Sequence, residues 1–314
     1  MACKIVMRFP IVKSLSIIIR IPVKQRPFAG RWRPAILAPL FVVLLASCDS
    51  TSISGQFQRI FVEHQGTTRT THLFIPSGVT DRPNVPLVLA FHGAGGSGPL
   101  FRDQVDLDRQ ADEHGFVVAY PTATGTNWAE GCGCIRPDLD GVDDVGFADA
   151  VIDAVADVVE IDRRRIFAIG YSQGAVFLHH LACERTGTYA GFASIAGMMS
   201  GPVAASCPAE QPVDMLLVHG TEDQVLPFDG QEAGQSTLLS VPATMLEWTD
   251  HNGCSSSVSR ATEKIGDYNV DVRRYESCEQ GTRVRLFELL GHGHAWPAGI
   301  ESEIAGFFGL TRNE

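Results

Sequence analysis

Five apolar runs, each ending at or within two residues of a glycine or proline, restrict what this chain can fold into. They are "VPLVLAF" (85–91), "GFVVAYP" (115–121), "RIFAIG" (165–170), "GFASIAG" (191–197) and "VDMLLVHG" (213–220). A strand with one wet face alternates apolar and polar residues; these runs do not, so each is covered on both faces. Between them, "VGFADAVIDAVADVVE" (145–160) and "GAVFLHHLACE" (174–184) space apolar residues three and four apart, the helical interval. Strands alternating with helices predict a mostly parallel central sheet flanked by helices. "FQRIFVEH" (57–64) and "RTTHLFIP" (69–76) are read as two paired strands, and "RVRLFELL" (283–290) as a further one. No internal repeat or low-complexity stretch divides residues 56–314, which read as one α/β domain.

The charge is unevenly spread. Of the 25 Lys and Arg, eight lie in residues 1–47, which hold no Asp or Glu; the rest of the chain carries 17 against 36, a net of −19. So acidic a body excludes a nucleic-acid partner, which needs a basic stripe. The basic head is followed by "AILAPLFVVLLA" (35–46) and then "SCDS", the order of a charged n-region, an h-region and a small-residue cleavage point. The h-region is too short for an ordinary membrane span. "LASC" (45–48) resembles the bacterial lipobox, which implies a signal peptide over 1–47, cleavage before Cys48 and lipid on that cysteine. The alternative is cleavage nearby without lipid, giving a secreted soluble protein. Residues 48–55 read as a polar tether. Residues 1–26, where Lys13 and Arg20 interrupt an apolar stretch, are an extended n-region or follow from a start codon assigned too far upstream.

Export places the body in a compartment that permits disulfides. Six cysteines remain after Cys3 and Cys48 are set aside. Sequence neighbourhood pairs Cys183 with Cys207 and Cys254 with Cys278. Cys132 and Cys134 are left over; a Cys-Gly-Cys bridge is tight, and zinc, together with His292 and His294, is the competing use.

"AIGYSQGAVF" (168–177) contains G-x-S-x-G from Gly170 through Ser172 to Gly174, between a strand and a helix. There it marks a nucleophilic serine on a sharp turn, the glycines allowing close strand–helix packing where a Cβ would collide. A serine hydroxyl needs a base; "LLGHGHAWPAG" offers His292 and His294, whereas His179 and His180 lie inside a helix and His219 ends a strand. The base needs a carboxylate to fix its tautomer, and "LLVHGTEDQVLPF" supplies Asp223, with Glu222 its neighbour. "HGAGGSG" satisfies G-x-G-x-x-G through Gly93, Gly95 and Gly98, but the next strand ends in Tyr120 and Pro121 and lacks the acidic ribose anchor of a dinucleotide site. The same glycines suit an oxyanion loop, in which the Ala94 and Gln173 amides would face a developing alkoxide.

"AFHGAGGS", "NWAEGCGC", "DDVGFADAVID", "GYSQGA", "VHGTEDQVLPFDG" and "GHGHAWP" occur in the order found in one esterase group. Over residues 55–310 the chain resembles the polyhydroxybutyrate depolymerase-like and feruloyl esterase-like α/β-hydrolases, near carbohydrate esterase family one. The resemblance implies an α/β-hydrolase fold. It makes His294, just before x-Trp-Pro, the catalytic histidine, and Trp128 and Trp296 walls of the substrate site. Two features differ: the group often has adjacent cysteines where this chain has Cys132-Gly-Cys134, and no polymer-binding module follows the catalytic domain here.

The expected activity is a serine esterase acting on feruloyl or acetyl esters of polysaccharides, or on short hydroxyalkanoate esters, through an acyl-enzyme. Ser172 is the nucleophile, His294 the base and Asp223 its orienting acid. No metal or organic cofactor is called for. The expected partners are a small or polysaccharide-linked ester and a membrane through the lipid on Cys48. Acyl transfer by the same triad, and a non-catalytic binding lipoprotein on a hydrolase fold, are the alternatives.

Overall fold

The computed structural model describes residues 53–208, 210–233 and 236–312. The expected signal segment, Cys48 and the first part of the tether lie outside them. Strands β1 (Gly55–His64) and β2 (Thr67–Pro76) form a hairpin, followed by β3 (Val85–Phe91), helices α1 (Gly98–Gln104) and α2 (Leu107–His114), and β4 (Val117–Pro121). After α3 (Arg136–Leu139) and α4 (Asp144–Ala156) come β5 (Ile161–Tyr171), α5 (Gln173–Glu184), β6 (Gly191–Ile195), α6 (Gly201–Ser206) and β7 (Asp214–Gly220). A small ribbon, β8 (Gln231–Ala233) with β9 (Ser236–Leu238), precedes α7 (Val241–His251). The chain then runs through β10 (Ser259–Ile265), β11 (Tyr268–Tyr275), β12 (Val284–Leu289) and α8 (Ile300–Phe307).

The main sheet has the order β1-β2-β4-β3-β5-β6-β7-β12-β11-β10. Its centre, β4 to β12, is parallel, and antiparallel strands complete both edges. This is the α/β-hydrolase architecture. The two-residue period of a strand explains the continuous apolar runs. In β3, Leu87, Leu89 and Phe91 pack with Phe147 and Val151 of α4, Phe177 of α5 and Trp248 of α7. Val88 and Ala90 point the other way, to Phe101 of α1, Leu107 of α2 and Ile304 and Phe307 of α8. The β10–β11 hairpin continues the sheet beyond β12; most of β10 is exposed, and its polar run carries little strand signal. Among the described residues no helix is long and apolar enough to cross a membrane.

All six body cysteines are paired. Cys183, at the end of α5, joins Cys207 after α6, and Cys254, after α7, joins Cys278 after β11. Each closes a loop with a sequence separation of 24, a size that contributes about 3 kcal/mol by restricting the unfolded chain. Cys132 and Cys134 bridge each other. Gly131 and Gly133 take φ of 75° and 66°, which tightens the turn, and their amides donate to Asp138. The third group beside these sulfurs is therefore Asp138, rather than His292 or His294. Sulfurs consumed in a disulfide are not the thiolates that zinc requires.

Candidate active site

The site is built at the carboxyl ends of the parallel strands. Strand β5 ends at Tyr171 and α5 begins at Gln173, so the chain reverses within Ser172, whose φ of 55° and ψ of −123° lie in a region costly for any residue with a side chain. The flanking glycines make this possible. A Cβ on Gly170 would overlap the Gly174 carbonyl, and one on Gly174 would overlap the carbonyl oxygens of Phe91 and His92. Gly93 rests on the turn as well: a Cβ there would meet Ser172 Cβ at 3.1 Å.

His294 reaches the serine from the loop after β12. Ser172 Oγ stands 2.8 Å from His294 Nε2, and His294 Nδ1 stands 2.7 Å from Asp223 Oδ2. Asp223 follows β7, with its side chain wholly shielded, and its other oxygen accepts from the Val225 and Leu226 amides at 2.9 Å each. Burial pushes this carboxyl up. Hydrogen bonds from His219, His294, Leu226 and Val225 outweigh that and hold it well below the usual carboxylate range. Glu222 is exposed, while His292 turns away, its Nε2 3.1 Å from Ala295 O and its ring edge-on to Tyr268.

His219 takes a part that sequence reasoning missed. Buried at the end of β7, its Nε2 lies 2.8 Å from Leu226 O and 3.4 Å from Asp223 Oδ2, tying the Asp223 loop to the strand. In the sequence it is marked only by a repeated His-Gly pair: His92-Gly93 follows β3, and His219-Gly220 closes β7.

The Ala94 and Gln173 amides have no backbone partner among the described residues; Gln173 follows Ser172 in the chain, and Ala94 follows Gly93, which packs on Ser172. Trp296 is half-buried, donates from Nε1 to Glu301 at 2.7 Å and stands edge-on to Tyr171, which stacks on His294 at 5.6 Å. Trp128 is not a substrate wall. It is completely buried between Phe91 and Phe177, at 5.2 and 5.4 Å, with Nε1 donating to His92 O. An apolar ring beside a suggestive motif in sequence says nothing of whether it points outward, and this one fills the core behind His92.

Glu130, two residues on, is buried as well. Burial pushes its carboxyl up to about 7, opposed by a hydrogen bond with Gln173 and helped by nearby Asp138. The folded protein thus keeps a proton that the unfolded chain releases near pH 4.3. The stability this group contributes is full below that pH and is lost as pH rises through about 7. Across that window the loss is expected to be about 2–3 kcal/mol, and Glu130→Gln should flatten it. Urea midpoints for both proteins at pH 4.5, 6 and 8 check this; parallel profiles would contradict it.

Comparisons with known proteins point to esterases. A phospholipase/carboxylesterase family model matches residues 146–267. The probable feruloyl esterase C of Aspergillus terreus is 30% identical over 207 residues, spanning 60% of this chain and 72% of its own length. The bifunctional acetylxylan esterase/xylanase of Neocallimastix patriciarum is 28% identical over 238 residues. That match takes in 75% of this chain and 32% of the relative, so the chain spans about a third of that longer protein. Among solved structures, the acetyl xylan esterase from Aspergillus awamori superposes with a TM-score of 0.57 at 16% identity, over 82% of this chain and all of that one; at such identity the likeness concerns the fold. A strained serine between two glycines, a histidine and a buried aspartate on a hydrolase sheet, and relatives of this kind lead to one assignment: the chain belongs to the feruloyl esterase-like esterases of the α/β-hydrolase fold.

Proposed function

We propose that residues 56–314 are a serine esterase domain that cleaves carboxylic esters through an acyl-enzyme. The observation that carries this reading is the continuous line from Ser172 Oγ through His294 to Asp223, with contacts of 2.8 and 2.7 Å. His294 Nδ1–H donates to Asp223, which leaves Nε2 free to accept the Ser172 proton. Oγ attacks the ester carbonyl, and the alkoxide that forms is met by the Ala94 and Gln173 amides. His294 then passes its proton to the leaving alcohol; water, deprotonated by the same nitrogen, releases the acid. Trp296 borders the substrate in this scheme.

The relatives' names, feruloyl and acetylxylan esterase, support feruloyl or acetyl groups on polysaccharides as substrates, with short hydroxyalkanoate esters as the other class. The test is a panel of feruloyl, acetyl and hydroxybutyryl esters, run beside fluorophosphonate labelling. Turnover with labelling confined to Ser172 is expected; folded protein that neither labels nor turns over any of them would overturn the reading.

We further propose that the protein is exported and held at a membrane by lipid on Cys48, in support of which stands "LASC" directly after the apolar run. Cys48→Ser is expected to move the protein from the membrane pellet to the soluble fraction. Unchanged partition would remove the anchor.

A further inference from the structure

The loop of residues 122–130 touches the supports of both amides assigned above to the oxyanion hole. On one side the Gly95 amide donates to Thr126 O at 3.1 Å and Asn127 Oδ1 at 3.3 Å. Trp128 Nε1 donates to His92 O at 2.8 Å, and the Ala123 amide donates to His92 Nε2 at 3.1 Å. Because Nε2 accepts, Nδ1 carries the proton and donates to Gly93 O at 2.8 Å. Gly93 O and the Ala94 N–H belong to one planar trans peptide and point in opposite directions, so this bond aims the Ala94 donor. On the other side the Gln173 side chain clasps the Trp128 backbone, accepting from its N–H at 3.0 Å and donating to its carbonyl at 2.7 Å.

The loop in turn hangs from one buried ion pair. Arg69 of β2 and Asp144, the first residue of α4, have side chains 6% and 0% exposed and meet at 2.7 Å. Arg69 also donates to Thr122 O from Nε and Nη2, at 3.3 and 3.1 Å, and its guanidinium lies 3.4 Å over the Phe147 ring. Asp144 Oδ2 accepts from the Ala129 amide at 2.7 Å. An ion pair so fully removed from water seldom repays its desolvation in stability, and well-packed apolar side chains could fill the same space. What the charged pair adds is direction: a rigid fork of donors at Thr122 and a carboxylate at Ala129 fix the loop near both of its ends.

We propose that Arg69 and Asp144 are positioning residues for ester hydrolysis: their ion pair sets the 122–130 loop, and the loop sets where the Ala94 and Gln173 amides stand relative to Ser172 Oγ. The role rests on the serine-esterase reading of the site. It gives "DDVGFADAVID" a function at Asp144 that the triad itself does not use.

The test uses the full chain, with rates expressed per fluorophosphonate-titrated site so that unfolded protein does not count. Asp144→Asn keeps an acceptor for the Ala129 amide and strips Arg69 of its counter-charge. The double variant Arg69→Met/Asp144→Asn leaves no lone buried ion. In both, kcat is expected to fall about 10- to 100-fold, less than for removal of a whole oxyanion donor, with KM within about threefold. An alkylboronate, whose tetrahedral adduct on Ser172 places an oxygen where the alkoxide forms, should weaken in Ki by the same factor as kcat falls. A merely structural role leaves kcat per site and Ki unchanged, and that result in the double variant overturns the proposal. Should the double variant not fold, Gln173→Met decides: it keeps the amide donor and removes both bonds to Trp128, so unchanged kcat and Ki there are equally fatal. Ser172→Ala, which cannot be titrated and is compared per mole of folded protein, separates the two levels. Hydrolysis persisting in it removes the serine-esterase reading, whereas its loss beside undiminished Arg69 and Asp144 variants removes only the positioning role.

Discussion

Ser172→Ala and His294→Ala are each expected to lower ester turnover by on the order of 10⁵- to 10⁶-fold, because members of such a relay act as a unit. Asp223→Asn should cost less, about 10⁴-fold, since an amide in that place favours the wrong tautomer of His294. His292→Ala, which loses only a contact with Ala295 O and the edge of Tyr268, should stay within a few-fold of the parent. Stopped assays at matched concentrations of folded protein, with near-ultraviolet circular dichroism to show an intact fold, check the set. Retained activity in Ser172→Ala would end the assignment, and an inactive His292→Ala beside an active His294→Ala would reverse the choice of base.

Gly174→Ala, the addition of one methyl group, is expected to have the second largest effect. Its Cβ would overlap the carbonyl oxygens of Phe91 and His92, both backbone atoms at the end of β3. Neither can rotate aside as a side chain could. Either α5 lifts from the sheet or the turn leading to Gly93 and Ala94 shifts. The first costs about 3 kcal/mol or more as overpacking, and the second displaces an oxyanion donor, worth about 10²- to 10³-fold in kcat. Gly306→Ala is the matched control: nothing lies within 4 Å of a Cβ there, and its place in α8 predicts a gain of roughly 0.5–1 kcal/mol. Urea unfolding with kcat per titrated site reads both quantities; equal behaviour of the two variants would contradict the close approach.

The strands that position the chemistry were legible because burial on both faces writes itself as uninterrupted apolar sequence, as in β3, β5 and β7. The serine turn and the order of Ser172, Asp223 and His294 were legible because sharp turns need glycine and strand ends carry the loops. The outer hairpin β10–β11 was not: Arg260, Thr262 and Lys264 give it no apolar rhythm, and its place is settled by pairing with β12. Nor was the direction of a side chain. Trp128 and Trp296 stand beside equally suggestive motifs, yet one is in the core and the other half-open. Arg69 and Asp144 lie 75 residues apart, and no periodicity announces a long-range ion pair.

The way the strands share the site bears on how the chain acquires activity. His294 meets Asp223 across 71 residues and Ser172 across 122, and the parallel neighbours β3, β5, β6, β7 and β12 have no hairpin to bring them together. Closing such loops costs entropy before any contact rewards it, so parallel pairing forms late and slowly. Strands β5 and β7 lead into Ser172 and Asp223, whereas Ala94 follows β3 and His294 follows β12. Under the proposed mechanism, a chain that had paired only β5, β6 and β7 would hold Ser172 without its base. On that mechanism hydrolysis requires β12 in place to carry His294, so turnover reads whether the whole parallel sheet has formed.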